Sequence, residues 1–244
     1  MQPDEIWDQT AADLYDTPGE GMWSDEVLRP TVDLLAGLAG DGSALELAIG
    51  TGRVAIPLAE HGVAVTGIEL SEPMVGKLHE RVGTQAIPVT IGDMATTRVE
   101  GEFSLVYLVF NTISNLLTQD AQVECFRNAA HHLSPGGAFV IELWVPQLRQ
   151  LPPGAPAAVF SSRPGYVGLD DYDVLEQRVT SHHFRYDRGR EATHAISPHR
   201  YVWPAELDLM GRLAGFGLEA RYADWDRSAF TADSRSHVSV YRLL

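Results

Sequence analysis

The sequence is poor in cysteine, in basic residues and in long apolar runs, and each shortage excludes a class of protein. Cys125 is the only cysteine among 244 residues, so neither an internal disulfide nor a cysteine-based metal cluster can form. No run of 18 apolar residues indicates a membrane-spanning helix. Lysine and arginine number 18 against 33 acids, a formal net charge of −15. Such a charge opposes phosphate backbones and anionic lipids, so we expect no nucleic-acid partner and no membrane partner.

What remains is the composition of a soluble globular protein. Hydrophobic residues make up 45% of the chain and charged residues 21%, which is enough for one substantial core. The acidic stretch 1–16 has neither the basic nor the apolar segment of a secretory signal, so a cytoplasmic location is predicted. Cys125 lies in a helical pattern that predicts a buried, unreactive thiol. The sequence leaves open whether the chain forms a homo-oligomer.

From Ala44 onward, apolar runs typical of strands alternate with helical patterns, which predicts a parallel sheet with helices on both faces. After Trp144 a proline-rich connection leads to short runs with period-two alternation, broken at RPG and DRGR, which predict three or four antiparallel strands. A helix and two strands then complete the core. We predict a core with N-terminal helices over 1–150, an inserted sheet over 151–203 and completion of the core over 204–244.

The strongest chemical signal is a glycine turn between the first predicted strand and the next helix. Gly50 and Gly52 let the backbone pass close to a ligand, and Glu69, at the end of the second strand, has the spacing suited to both hydroxyls of a ribose. Sites for dinucleotides and for S-adenosylmethionine (SAM) share this geometry. With Ala55 the run also fits the dinucleotide pattern, so a nicotinamide-dependent oxidoreductase is the rival interpretation.

Three features favour SAM. Glu46 precedes the turn, where a carboxylate suits a cationic ligand and opposes a pyrophosphate. Asp93 follows the third strand and can accept from an adenine amino group, while Met94 covers the ring. Residues 134–137 form a turn that leads into the fifth strand.

In this order of motifs the chain resembles the class I SAM-dependent methyltransferases, which it matches through ALELAIGTGR, VTGIELSEPM, IGDM and LSPGG. The resemblance implies an α/β, Rossmann-like fold with a seven-stranded, mostly parallel sheet and SAM across the carboxyl ends of strands one to four. The inserted sheet is similar to the antiparallel lid that roofs the acceptor pocket in small-molecule N-methyltransferases of the glycine and amino-sugar types. One departure is Ala48, where the family usually has glycine. The implied cofactor contacts are Glu46, Ala48, Gly50, Thr51, Gly52, Arg53, Glu69, Leu70, Met74, Asp93 and Met94.

Two further segments belong to the predicted site. In similar enzymes the N-terminal segment closes over SAM, so Tyr15 and Trp23 either contact the cofactor or attach the first helices to the core. The family places residues beside the reactive methyl group after strand four, where Phe110 is a further cofactor contact. This segment lacks the Asn/Asp-Pro-Pro-aromatic motif of the branches that methylate nucleic acids and protein glutamine, which favours a free-standing acceptor. Asn111 and Asn115 either orient that acceptor or cap the loop.

Glu142, near the end of strand five, is the candidate for orienting the acceptor or taking its proton, with a solvated strand end as the alternative. It and Trp144 are expected to face the acceptor. His182 and His183 are adjacent, so on a strand they point to opposite faces and cannot chelate one ion. No HExxH pattern supports a metal, and no metal site is predicted. A lid histidine acting as a base is a further alternative.

These observations predict a methyltransferase that moves the methyl group of SAM to a small-molecule acceptor by in-line displacement. Because the donor is already activated, the protein mainly aligns the nucleophile and excludes water. The acid-rich chain and Glu142 favour an amine acceptor. The alternatives are O-methylation of a natural-product hydroxyl or carboxylate, the nicotinamide-dependent oxidoreductase, and a SAM-binding protein without activity.

Overall fold

The computed structural model describes residues 8–244 except 18, 20 and 187–190. Residues 1–7 of the acidic N-terminal stretch and the DRGR break lie outside the described residues. Among the helices that are described, none has the length and apolar character needed to cross a bilayer.

Seven strands form one large sheet in the order β10-β11-β5-β4-β1-β2-β3. The first five strands pair in parallel, whereas β11 runs antiparallel to both β5 and β10. This arrangement confirms the predicted seven-stranded, mostly parallel sheet. Its strands are β1 (Ala44–Leu47), β2 (Val65–Glu69), β3 (Val89–Ile91), β4 (Phe103–Leu108), β5 (Leu133–Trp144), β10 (Phe216–Tyr222) and β11 (Ser236–Leu243).

The described helices either precede β1 or lie between strands. They are α1 (Gln9–Tyr15), α2 (Asp25–Ala39), α3 (Ala55–Glu60), α4 (Glu72–Val82), α5 (Gln119–His132) and α6 (Pro204–Leu213). Short 3₁₀ turns lie at Gly21–Trp23, Thr112–Asn115 and Leu148–Gln150. The N-terminus of α4 shows the local cause of one helix start, because the Ser71 hydroxyl accepts from the backbone N–H of Met74 at 3.3 Å and so caps the helix.

Four further strands form a separate antiparallel sheet between β5 and α6, as the alternating pattern predicted. They are β6 (Ala157–Arg163), β7 (Tyr166–Asp173), β8 (Arg178–Arg185) and β9 (Thr193–Arg200), paired in sequence order. We call this the small sheet. Its alternation produces one face toward the core and one toward solvent, because neighbouring side chains of a strand point to opposite sides.

Two local predictions need correction or refinement. Residues 134–137, predicted as a turn, belong to β5 itself, where a register shift between Phe103 and Leu105 of β4 interrupts the pairing. Trp23, predicted to contact the cofactor or attach the first helices, lies in the 3₁₀ turn before α2, which begins at Asp25. Cys125 is fully buried in α5 and burial raises the pKa of its thiol to about 12, which confirms the expected unreactive cysteine.

A buried ion pair attaches the small sheet to the core. Arg200, the last residue of β9, donates to Glu206 at the start of α6 at 2.7 Å and to Gln122 of α5 at 2.5 Å. The amide of Gln122 donates in turn to the carbonyl of Arg200 at 3.3 Å and to the carbonyl of Ile113 at 3.2 Å. The same side chain therefore joins the small sheet to the 3₁₀ turn that follows β4.

Candidate active site

The glycine turn lies at the carboxyl end of β1, and its conformation explains its glycines. Gly50 and Gly52 have φ of 59° and 81°, in the left-handed region that favours glycine. A Cβ on Gly52 would meet the Leu78 side chain at 2.9 Å, so a larger residue does not fit there. Ala48 also has a positive φ, 54°, which costs an L-residue about 1–2 kcal/mol. The departure from the family's glycine is therefore a strained position.

Glu69 holds this turn from the end of β2. Its Oε2 accepts from the N–H of Gly50 at 2.8 Å and its Oε1 accepts from the N–H of Ser71 at 2.9 Å. Burial raises the pKa of the carboxyl group, and these backbone hydrogen bonds act in the opposite direction. Each oxygen keeps lone pairs that the two amides do not use.

Two adjoining hollows at the carboxyl ends of β1, β2 and β3 share Ala48, Glu69, Thr112 and Asn115 in their walls. We call them together the cofactor cavity. The sequence places many of its wall residues correctly: the predicted contacts that line it are Tyr15, Ala48, Gly50, Glu69, Leu70, Met74, Asp93 and Met94.

The other predicted contacts lie around this cavity. Glu46 is buried behind the turn, where its Oε2 accepts from the Tyr107 hydroxyl at 2.9 Å and where burial raises its pKa to about 8. Arg53 donates to the carbonyl of Met22 at 3.0 Å and stacks 5.3 Å from the centre of the Phe110 ring. Both residues support the turn from behind.

The N-terminal residues close one side of the cofactor cavity. The Thr51 hydroxyl donates to Asp16 at 2.7 Å, and Arg81 forms an ion pair with the same carboxylate. Trp23 lies over the Arg81 guanidinium at 5.3 Å and meets the Tyr15 ring edge-on at 6.4 Å. Tyr15 therefore reaches the cavity wall, and Trp23 braces it.

A second cavity of about 400 Å³ lies between the 3₁₀ turn Thr112–Asn115 and the small sheet. We call it the acceptor cavity. It shares Tyr15, Thr112 and Asn115 with the cofactor cavity, so the two meet at these side chains. Phe110 and Trp144 provide further aromatic wall, and the small sheet contributes Asp170, Val179, Ser181, His183, Ser197 and His199.

The loop after β4 uses two of the predicted catalytic side chains to keep its shape. Phe110 and Asn111 both have left-handed φ, 55° and 64°. The Glu142 carboxylate accepts from the N–H of Phe110 at 2.7 Å, and the Asn111 amide oxygen accepts from the N–H of Trp144 at 2.7 Å. Trp144 faces the acceptor cavity, as expected, but the Glu142 carboxylate lies behind the loop and not on the cavity wall. The effect of Glu142 on catalysis stays a prediction. Its position indicates that such an effect would come from holding the loop in shape.

A row of hydrogen bonds crosses the inner face of the small sheet to the cofactor cavity. The Tyr166 hydroxyl lies 2.7 Å from Nδ1 of His183, whose Nε2 lies 3.3 Å from the Ser197 hydroxyl. That hydroxyl lies 3.1 Å from Nε2 of His199, and Nδ1 of His199 lies 3.1 Å from the Asn115 amide oxygen. Burial lowers the pKa of His199 to about 4 and lowers the pKa of His183, so both rings are uncharged at neutral pH.

The expected orientation of the adjacent histidines is confirmed. His183 lines the acceptor cavity, whereas His182 stacks against His194 on the other face of the small sheet, with ring nitrogens 2.9 Å apart. Within the described part of the chain, no group of three or more His, Cys, Asp or Glu side chains is arranged to hold a metal ion.

Sequence reasoning missed Asp170, Ser181 and Ser197. Each lies in a period-two pattern, and each shares a face with a residue that lines the cavity. The alternation therefore predicts which of these side chains lie on the same face of the small sheet. It does not predict which face of the small sheet lines the acceptor cavity.

Known proteins resemble this chain in sequence and in structure. Residues 44–137 match a family model described as a methyltransferase domain. The structure of the CcbJ methyltransferase from Streptomyces caelestis is similar with a TM-score of 0.86 and 38% identity over 98% of each chain. A cypemycin N-terminal methyltransferase from a Streptomyces species is 26% identical over 98% of each chain. A dTDP-3-amino-3,4,6-trideoxy-alpha-D-glucopyranose N,N-dimethyltransferase from Streptomyces venezuelae is 29% identical over 54% of this chain and 56% of its own. The chain belongs to the SAM-dependent methyltransferases, and SAM is its cofactor.

Proposed function

We propose that this enzyme methylates the nitrogen of a small-molecule amine. The observation that carries the proposal is the meeting of the two cavities at Tyr15, Thr112 and Asn115, beside an acceptor wall whose described residues include no lysine or arginine. An amine that enters this cavity can approach the cofactor cavity directly, and no cation in the described wall repels its protonated form. After it loses that proton to water, its nitrogen lone pair forms the bond to the methyl carbon while the sulfonium sulfur leaves as a neutral thioether.

The residues of the cofactor cavity fit SAM. The glycine turn leaves its backbone open to a ligand, and Glu69 has lone pairs left for ribose hydroxyls. Asp93 and Met94 line the hollow farther along the sheet, where they suit the adenine ring. Bound SAM supplies a methyl group on a sulfonium, which is a leaving group that needs no further activation. A cationic ligand beside the turn would favour the ionised form of Glu46, whose pKa burial raises to about 8, whereas a diphosphate would oppose it.

This chain's own part is alignment and exclusion of water. Tyr15, Phe110 and Trp144 form the aromatic part of the acceptor wall, and Asn115 lies where the two cavities join. The small sheet provides the opposite wall, which supports its assignment as a cover for the acceptor and the division of the chain at residues 151–203. Positioning of this kind can supply much of the rate enhancement in a displacement reaction.

The relatives support nitrogen over oxygen. The cypemycin enzyme is named as an N-terminal methyltransferase, and the similar dTDP-amino-sugar enzymes are named as N,N-dimethyltransferases. The acid excess of the whole chain adds a weak, long-range preference for a cationic acceptor.

A product screen tests the proposal. Purified enzyme and SAM are incubated with amines, amino sugars, phenols and carboxylic acids, and S-adenosylhomocysteine release and the mass and site of methylation are measured. We expect N-methylated products from amines only. Methylation confined to oxygen, or SAM binding without turnover of any acceptor, would contradict it. A calorimetric titration with NAD(H) serves as the control for the dinucleotide alternative and should give no binding.

A second experiment tests the small sheet. Replacing residues 157–200 by a short glycine linker should abolish turnover while SAM binding stays measurable by calorimetry. Equal loss of both would contradict the role of the small sheet as a cover.

A further inference from the structure

The acceptor cavity has an uneven distribution of charge. Its described wall contains aromatic rings, amides, hydroxyls, two imidazoles and a single carboxylate, Asp170. His183 and His199 are uncharged at neutral pH because burial lowers the pKa of each. Asp170 is therefore the only formal charge that the described wall presents.

Hydrogen bonds hold Asp170 in a fixed position on the inner face of the small sheet. It pairs with Ser181 across β7 and β8, and the Ser181 hydroxyl donates to its Oδ1 at 2.6 Å. The Tyr172 hydroxyl, two residues along the same strand, is near enough to act as a second donor and to lower the pKa of the carboxyl group. A carboxylate offers about four acceptor positions, so two donors leave room for the N–H groups of a ligand.

The described wall of the acceptor cavity places no lysine or arginine beside Asp170. Burial is the largest influence on its carboxyl group and raises the pKa, and the smaller opposing influences come from Ser181, Tyr172 and the two neighbouring histidines, His182 and His183. None of these named groups is a lysine or an arginine. A half-buried carboxylate without a cationic partner is in an unfavourable environment until a cation arrives.

The neighbouring imidazoles do not fill that role. The ring nitrogens of His183 and His199 are all engaged in the row from Tyr166 through Ser197 to Asn115. This row can be satisfied without any proton added, because each ring then donates through one nitrogen and accepts through the other. The histidines thus stay neutral, and Asp170 keeps its charge available to a ligand.

We propose that Asp170 is the counter-ion of a protonated amine in the acceptor cavity and makes the enzyme selective for cationic acceptors over neutral ones of the same shape. This inference rests on the proposed N-methylation and identifies the acceptor class as amines that are protonated at neutral pH. It also assigns the choice of acceptor to the small sheet, whereas the cofactor cavity belongs to the large one.

Binding of a simple probe pair tests the inference without turnover. Cyclohexylamine is protonated at neutral pH, and cyclohexanol has nearly the same shape without the charge. Their dissociation constants for the enzyme loaded with S-adenosylhomocysteine are measured by ligand-observed NMR titration. For the wild type we expect cyclohexylamine to bind about tenfold more tightly, the size expected for one charge-assisted hydrogen bond. An equal affinity for the two probes would overturn the proposal.

Variants connect the preference to one residue. Asp170→Asn should remove the preference, and Asp170→Ser provides a second uncharged wall if the first variant does not fold. Asp170→Glu should keep most of it. The matched control is Asp171→Asn, because Asp171 is the next residue of β7 and is exposed on the opposite face. A preference that survives in a folded, uncharged Asp170 variant would overturn the proposal, as would its loss in Asp171→Asn.

The two proposals fail in different ways. If amines are methylated but probe selectivity is the same with and without the Asp170 charge, the N-methylation proposal stands and this one falls. If no amine is methylated but the selectivity for the charged probe depends on Asp170, the N-methylation proposal falls and Asp170 remains a group that binds protonated amines.

Discussion

Glu69 allows the sharpest test of the cofactor cavity, through Glu69→Gln. Each of its carboxylate oxygens accepts one backbone N–H, from Gly50 at 2.8 Å and from Ser71 at 2.9 Å. A glutamine side chain has one acceptor oxygen, so its NH₂ group must face one of these two N–H groups. The variant therefore loses one charge-assisted hydrogen bond and gains a donor–donor contact, and the lone pairs left for the ribose are reduced as well.

The magnitude of the affinity loss follows from one hydrogen bond between the carboxylate and a ribose hydroxyl. Loss of a hydrogen bond to a charged group costs about 1.5–3 kcal/mol. At about 1.4 kcal/mol for each factor of ten, SAM affinity should fall roughly 10- to 150-fold. Because SAM and S-adenosylhomocysteine share the ribose, both affinities should fall by the same factor. Glu69→Ala, which removes both acceptors, should lose at least tenfold.

Isothermal titration calorimetry with each compound measures the effect, at a temperature where thermal melts show that the variant is folded. Glu72→Gln is the matched control, since Glu72 is an exposed acid in the first turn of α4 and loses the same charge. A SAM affinity for Glu69→Gln within threefold of the wild type would refute the reasoning. So would a loss confined to SAM, because that would indicate an interaction with the sulfonium and not with the ribose.

Two further substitutions test the buried charges behind the sites. Burial raises the pKa of Glu46 from 4.5 to about 8, so its contribution to stability is complete below pH 4.5 and is lost as the pH rises through 8. Glu46→Gln, which imitates the neutral acid, should therefore raise the melting temperature at pH 8.5 and bring no advantage at pH 5; an equal shift at both pH values would contradict this. Arg200→Met should lower the unfolding free energy by about 1.5–3 kcal/mol in calorimetry, because it removes the charge-assisted hydrogen bond between the buried guanidinium and the partly buried Glu206. Arg242→Met, which breaks a more exposed ion pair with Glu219, should cost less than about 1 kcal/mol, and equal costs would refute the distinction.

The cofactor half of the site could be predicted because its signals are local. Glycines at fixed offsets after a strand have few structural explanations, and Gly50 and Gly52 indeed adopt conformations that favour glycine. The distance along the chain from that turn to Glu69 is set by one helix and one strand. Parallel pairing of β1 with β2 then brings the two together without any long-range information.

The lining of the acceptor cavity could not be predicted, because it depends on how the small sheet packs and no local sequence pattern determines that. Asp170 and Asp171 are adjacent acids on one strand, and only the docking of the small sheet decides which faces the cavity. Glu142, on β5 of the large sheet, shows the same limit of prediction from sequence. Its strand was predicted correctly, but the left-handed turn that brings the N–H of Phe110 to its carboxylate could not be read from the residue types.

The small sheet and helix α1 both cover the active site, but different kinds of interaction hold them in place. The small sheet is tied through Arg200 and Gln122, both nearly inaccessible to solvent. Helix α1 is held by charges that water reaches, including the ion pair of Asp13 with Lys77 at 2.8 Å. Mobile ions weaken accessible charge pairs far more than buried ones. We therefore expect S-adenosylhomocysteine to dissociate past the N-terminal helix. Its dissociation rate should rise with ionic strength in stopped-flow measurements.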